Sequence, residues 1–181
     1  MPTQKGSPLF KDHQPARDAA CVSALRAAGA IILGKTVTTE LANLTPNITR
    51  NPHNPAHTPG GSSSGSAAAV GAGTIPLALG TQTGGSVIRP GSFCGIHAMK
   101  PTLGLISRTG VTLQSHTLDT VGVYGRSLAD LALITDALSG HDPSDAVGYT
   151  RVRPNLSSII ESGMTTRPLF AFVKSPALEF A

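Results

Sequence analysis

The stretch Pro59–Ser92, PGGSSSGSAAAVGAGTIPLALGTQTGGSVIRPGS, decides the fold. It sets two serine-glycine knots on either side of a run of small residues. The segment GSAAAVGAG, 65–73, predicts a helix of very small cross-section, and IPLALGTQT, 75–83, a buried strand. Alanine and glycine on both let helix and strand approach closely. Glycine in regular elements costs roughly 0.5–1 kcal/mol relative to alanine, so packing or chemistry must offset the glycines here.

Outward from this core, helices and strands alternate. In PARDAACVSALRAAG, 15–29, Ala19, Val22, Leu25 and Ala28 recur at helical spacing, with Asp18 in the first turn and Gly29 as the stop. AIIL, 30–33, reads as a short strand, and TVTTELAN, 36–43, as a short helix with threonines for caps. Four prolines and three asparagines make 45–59 an ordered loop. DTVGVYG, 119–125, reads as a strand; in SLADLALITDALSG, 127–140, Ser127 and Asp130 approximate a capping box, and Leu128, Leu131, Ile134 and Leu138 share one face. The stretch 154–166 reads as a loop, PLFAFVKS, 168–175, as a strand, and ALEFA, 177–181, as the start of a helix. Strands alternating with helices give an α/β fold.

Composition narrows the function classes. The 181 residues carry 14 Lys and Arg against 10 Asp and Glu, a net +4 that reflects few acids rather than a basic cluster, which argues against nucleic-acid binding. Two distant cysteines, Cys21 and Cys94, fit neither a disulfide framework nor a zinc site. Without a membrane-length apolar run or an apolar leader at the start, cytoplasm is the expected compartment. No metal or cofactor is expected.

The second knot, GTQTGGS, places successive glycine amides before Ser86, a pattern that can gather N–H groups into a concavity for a developing oxyanion. A serine hydroxyl needs a base to take its proton, yet none of the six histidines sits in a motif that commits it to that role. Gly61-Ser62-Ser63-Ser64-Gly65 matches G-x-S-x-G but follows a Pro/Asn loop instead of a buried strand, so it is not read as a nucleophile elbow. No lysine follows the glycines as a P-loop requires, and no dinucleotide fingerprint follows a strand.

The block GGSSSGSAAAV…LALGTQTGGSVIRPGSFCGIHAMKPTLGLISRTGV resembles the amidase signature family, serine hydrolases that cleave carboxamides through a Ser–cis-Ser–Lys triad. LRAAGAIILGKTVTTELA and RNPHNPAHTPGGSSSGSA upstream, and LDTVGVYGRSLADLALITDAL downstream, are similar to the family as well. The resemblance implies one partial amidase domain over 1–181, with its signature core at 59–104 and a mixed central sheet covered by helices on both faces. It implies Ser86 as the acylated nucleophile, Ser62 as the bridging serine after a cis Gly61–Ser62 peptide, Thr83, Gly84, Gly85 and Ser86 as the oxyanion loop, and Ser63 as a residue lining the site.

The family's lysine base must be neutral to accept a proton, which burial achieves by lowering its pKa by roughly 3 units. In the family it precedes the first knot by several tens of residues; Lys5, Lys11, Lys35 and Lys100 do not match it, so the chain is expected to lack the base and the downstream half of the fold. Gln82 stands where many members carry an acid, while Arg89 and Cys94 read as structural. The implied partner is a small-molecule amide, with self-association through exposed edges expected. Two other readings stand beside this one: a non-catalytic remnant or binding module, and the glutaminase subunit of a tRNA-dependent amidotransferase.

Overall fold

The computed structural model describes residues 1–164 and 166–174. Helix α1 spans Ala20–Ala27, α2 Ser64–Gly71, α3 Ile88–Phe93, α4 Leu128–Leu138 and α5 Leu156–Ser162; strands are β1 Leu77–Gln82, β2 His97–Met99 and β3 Thr120–Gly125. The strands form one sheet in the order β1-β3-β2. Both pairings are antiparallel, with Gln82 opposite Thr120 and Ala98 opposite Tyr124.

Every residue of the central strand β3 is buried, and its alternation serves two cores. Val121 and Val123 pack with Cys21 of α1, Ile106, and Leu131, Ile134 and Leu138 of α4. Tyr124 packs on the opposite face with Ala67, Ala68 and Val70 of α2, Val87 and Cys94. Helices therefore cover both faces, as the α/β reading expects, while the strand pairs among the described residues are antiparallel rather than mixed.

The small helix α2 forms as its composition suggests and meets β1 closely. A Cβ at Gly80 would stand 2.8 Å from both Ser63 Oγ and Tyr124 Cε2. Gly80→Ala is therefore expected to destabilise the fold by about 1–3 kcal/mol through overpacking, read as a lower urea midpoint with an unchanged m-value.

Several expectations change. Helix α1 begins at Ala20 rather than among the preceding residues, and Asp18 instead pairs with Arg26 at 2.9 Å. Segment 30–33 is not a strand among the described residues: it has no strand to pair with, and Ile31 and Leu33 are 85% and 74% exposed. The segment TVTTELAN yields one 3-10 turn, Glu40–Ala42, with Leu41 at φ 48°. Strand β1 lies at the sheet edge, so it is half-buried rather than buried. Leu128 of α4 is exposed, though Ser127 caps that helix by accepting from Asp130 N.

The stretch 154–166 contains α5 instead of being loop throughout, because polar groups meet its free N-terminal amides. Asn155 Oδ1 accepts from Ser158 N, and Asp136 of α4 accepts from Leu156 N and Ser157 N, each at 2.9 Å. Residues 168–174 form no strand, and their apolar side chains are exposed. Ser175 and the 177–181 segment lie outside the described residues.

Candidate active site

The first knot is a tightly held turn ahead of α2. Gly60 adopts φ +77°, which favours glycine, and the Gly61–Ser62 peptide is cis. Ser62 is 2% exposed, and its carbonyl accepts from Thr38 Oγ1 at 2.8 Å and Thr39 N at 3.0 Å. Arg89 Nε donates to the Gly61 carbonyl at 3.0 Å. Ser63 faces β1: its hydroxyl accepts from Thr81 N at 3.1 Å and donates to Thr81 O at 3.3 Å.

The second knot leaves β1 at Gln82 and turns into α3. Gln82 Oε1 accepts from Val87 N at 2.9 Å and Ile88 N at 3.0 Å, so the neutral amide supplies the hydrogen bonds that an acid would supply there. The half-buried Ser86 has its carbonyl held by Ser63 N and by the Tyr124 hydroxyl, each donating at 3.3 Å. The Tyr124 hydroxyl itself is held well above its ordinary pKa by burial, so it serves as a neutral donor.

Ser62, Thr83 and Ser86 line one small cavity, together with Thr81, Gln114 and Asp119. Ser63 does not line it, and among the described residues neither a lysine nor a histidine does. His53 instead contacts the Cys94 carbonyl at 2.9 Å. Burial pushes the Cys94 thiol up to about 11, which suits an inert packing residue. Among the described residues no cluster of three or more His, Cys, Asp or Glu could hold a metal ion.

Sequence reasoning did not single out Asp119, Arg108, Gln114 or Tyr124 as part of this neighbourhood. Thr83 Oγ1 donates to Asp119 Oδ1, and Asp119 Oδ2 accepts from Gln114 N and Ser115 N. Gln114 Nε2 donates to the Leu41 carbonyl at 2.7 Å. Arg108 sits behind them, bridging the carbonyls of His116 and Asp119 to the carboxylate of Asp145. Their only local signals are an acid directly before an apolar strand and an arginine in an otherwise uncharged loop.

Burial by itself raises the carboxyls of Asp119 and Asp145. At Asp119, bonds from Thr83, Ser115 and Gln114 outweigh it; at Asp145, bonds and charge from Arg108 do so. Both end below the ordinary carboxylate value. A depressed folded pKa gives stability that is present above the unfolded value and lost as pH falls through the folded one. The melting temperature is therefore expected to hold from neutral pH to about 5 and to fall below about pH 4, near the unfolded value of an aspartate. Circular dichroism melts across that range check it.

The site can be set beside known proteins. The chain is 44% identical to a chloroplastic/mitochondrial glutamyl-tRNA(Gln) amidotransferase subunit from Zea mays over 168 residues, 90% of this chain and 31% of that one. It is 46% identical to the corresponding glutamyl-tRNA(Gln) amidotransferase subunit from Thermus thermophilus over 152 residues, 80% of this chain and 32% of that one. Among solved structures, native peptide amidase from Stenotrophomonas maltophilia superposes with a TM-score of 0.79 at 37% identity, over 86% of this chain and 35% of that one. An amidase family protein from Bacillus anthracis gives 0.81 at 35%, over 87% and 34%. The chain thus spans about a third of the length of these relatives. No helix among the described residues is long and apolar enough to cross a membrane. A sequence model of the Amidase family matches residues 1–161, and with the serine knots folded as described the chain belongs to that family.

Proposed function

We propose that residues 1–181 are a partial amidase domain, with its signature core at 59–104, that presents the serine pair and oxyanion loop of a carboxamide hydrolase. The observation that carries this reading is the shared cavity of Ser62, Thr83 and Ser86 beside a run of glycine amides. Ser86 Oγ attacks the carboxamide carbon and passes its proton to the Ser62 hydroxyl, which hands its own to a base. The developing oxyanion lies against the amides of the Thr83–Ser86 loop. Collapse breaks the C–N bond, the departing amine takes the proton from the relay, and an ester on Ser86 remains. Water then attacks that ester with the same relay, releasing the carboxylic acid and restoring the serine.

None of Lys5, Lys11, Lys35, Lys100 and Lys174 lines the cavity, so the base is read as a lysine supplied by another segment. Residues 1–181 by themselves are therefore read as weakly active or inactive. Assay of ammonia release from a panel of primary carboxamides tests the reading. Turnover that appears when a lysine-bearing amidase segment is supplied supports it; no acylation of Ser86 under any condition favours the non-catalytic binding module instead.

A second reading follows from the names of the relatives, which are amidotransferase subunits. In it the same site releases ammonia from glutamine for a multi-subunit enzyme. Glutamine hydrolysis only with partner subunits present would favour it; equal turnover of unrelated amides without them would sink it.

A further inference from the structure

Within the Thr83–Ser86 loop the Gly85 carbonyl accepts from Arg89 N at 2.9 Å, while Gly84 has no such tie among the described residues. Gly84 and Gly85 carry no side chains, and a Cβ built at Gly84 would meet no atom within 4 Å. Further restraint on the direction of the Gly84 amide acts through the loop's ends. Both ends are tied to one strand. At the front, the Thr83 hydroxyl donates to Asp119, which immediately precedes β3 and is 6% exposed. At the rear, the hydroxyl of Tyr124, fully buried within β3, donates to the Ser86 carbonyl.

We propose that Asp119 and Tyr124 are positioning residues that clamp the oxyanion loop at its two ends, Asp119 through the Thr83 side chain and Tyr124 through the Ser86 carbonyl. The inference rests on the reading of Thr83–Ser86 as an oxyanion loop and Ser86 as the nucleophile. Asp119 suits the task because an ionised carboxylate is an acceptor only, and here its two oxygens take a hydroxyl and two backbone amides. Arg108 steadies it from behind by donating to its carbonyl at 3.0 Å. Tyr124 suits its task because β3 pairs on both sides, with Ala78 and with Ala98, which fixes where its ring emerges. Oxyanion donors act through preorganisation, so a misplacement of about 1 Å costs on the order of a hundredfold in rate.

The test uses the full chain and two readouts, hydrogen exchange by mass spectrometry and, with a lysine-bearing amidase segment supplied, phosphonylation of Ser86 by a fluorophosphonate with loss of fluoride. Thr83→Val and Tyr124→Phe each delete one hydroxyl and little volume. Each is expected to speed exchange of the 83–86 amides about tenfold while leaving β3 and α4 unchanged. Thr83→Ser restores the parent rate, and the double variant Thr83→Val/Tyr124→Phe slows phosphonylation about ten- to hundredfold. Unchanged loop exchange in both single variants overturns the clamp, as does faster exchange spread evenly over the whole sheet. If the parent is never phosphonylated at Ser86 even with the lysine-bearing segment supplied, but the loop exchange pattern holds, the clamp stands and the nucleophile reading falls. If the parent is phosphonylated and the variants match it in both readouts, the clamp falls and the reading stands.

Discussion

Ser86→Ala, at the proposed nucleophile, is expected to remove all covalent capture by a fluorophosphonate and to lower amide hydrolysis by about 10⁴–10⁶-fold once the base is supplied, the scale on which loss of a serine nucleophile acts. The effect is chemical rather than structural. Ser86 holds its place through its backbone, with Ser63 N and the Tyr124 hydroxyl on its carbonyl, and alanine keeps that carbonyl. The substitution should therefore leave stability within about 0.5 kcal/mol. Ser62→Ala removes the proposed relay hydroxyl but spares the proposed attacking oxygen, so its loss is expected to be smaller. Intact mass before and after labelling, followed by peptide mapping, gives the result. A phosphonyl adduct that persists in Ser86→Ala would move the nucleophile elsewhere.

The second large effect is on folding. Arg108 is buried against Asp145: its Nη2 donates to Oδ1 at 3.0 Å, its Nε to Oδ2 at 3.2 Å, and its backbone N to Oδ2 at 2.8 Å. Arg108→Ala leaves Asp145 buried without its counter-charge and strips a donor from the carbonyls of His116 and Asp119. Breaking one side of such a pair costs about 3–5 kcal/mol, a large part of a typical domain's stability. Arg108→Lys keeps charge but not the fork and should fall in between. The released Asp145 carboxyl should also titrate higher, so Arg108→Ala unfolds at a higher pH than the parent. Urea midpoints at two pH values measure both. A loss under about 1 kcal/mol would show that the pair merely balances its own desolvation.

Local pattern made α2, β1, β3 and α4 legible, because small-residue runs, an apolar strand before glycines and the Ser127 cap all act within a few residues. The serine knots were legible for the same reason. What failed depended on distant neighbours. Ile31 and Leu33 belong to a strand-like sequence, but a strand exists only beside another. Helix α5 owes its start partly to Asp136, on a different helix, which sequence reading around 156 does not reveal. Asp119 and Tyr124 were legible as parts of a strand, yet their tie to Thr83 and Ser86 spans 36 and 38 positions. Gln82 stands where many members of the family carry an acid; a neutral amide can keep hydrogen bonds but not a charge, and its Oε1 accepts from Val87 N and Ile88 N.

That separation has a temporal consequence. A chain leaving the ribosome at about 5–20 residues per second presents the second serine knot roughly two to eight seconds before the tyrosine that holds it, 38 positions later. Until β3 has emerged and entered the sheet, neither Asp119 nor Tyr124 can hold the knot, so the hydrogen bonds on Thr83 and Ser86 close only then.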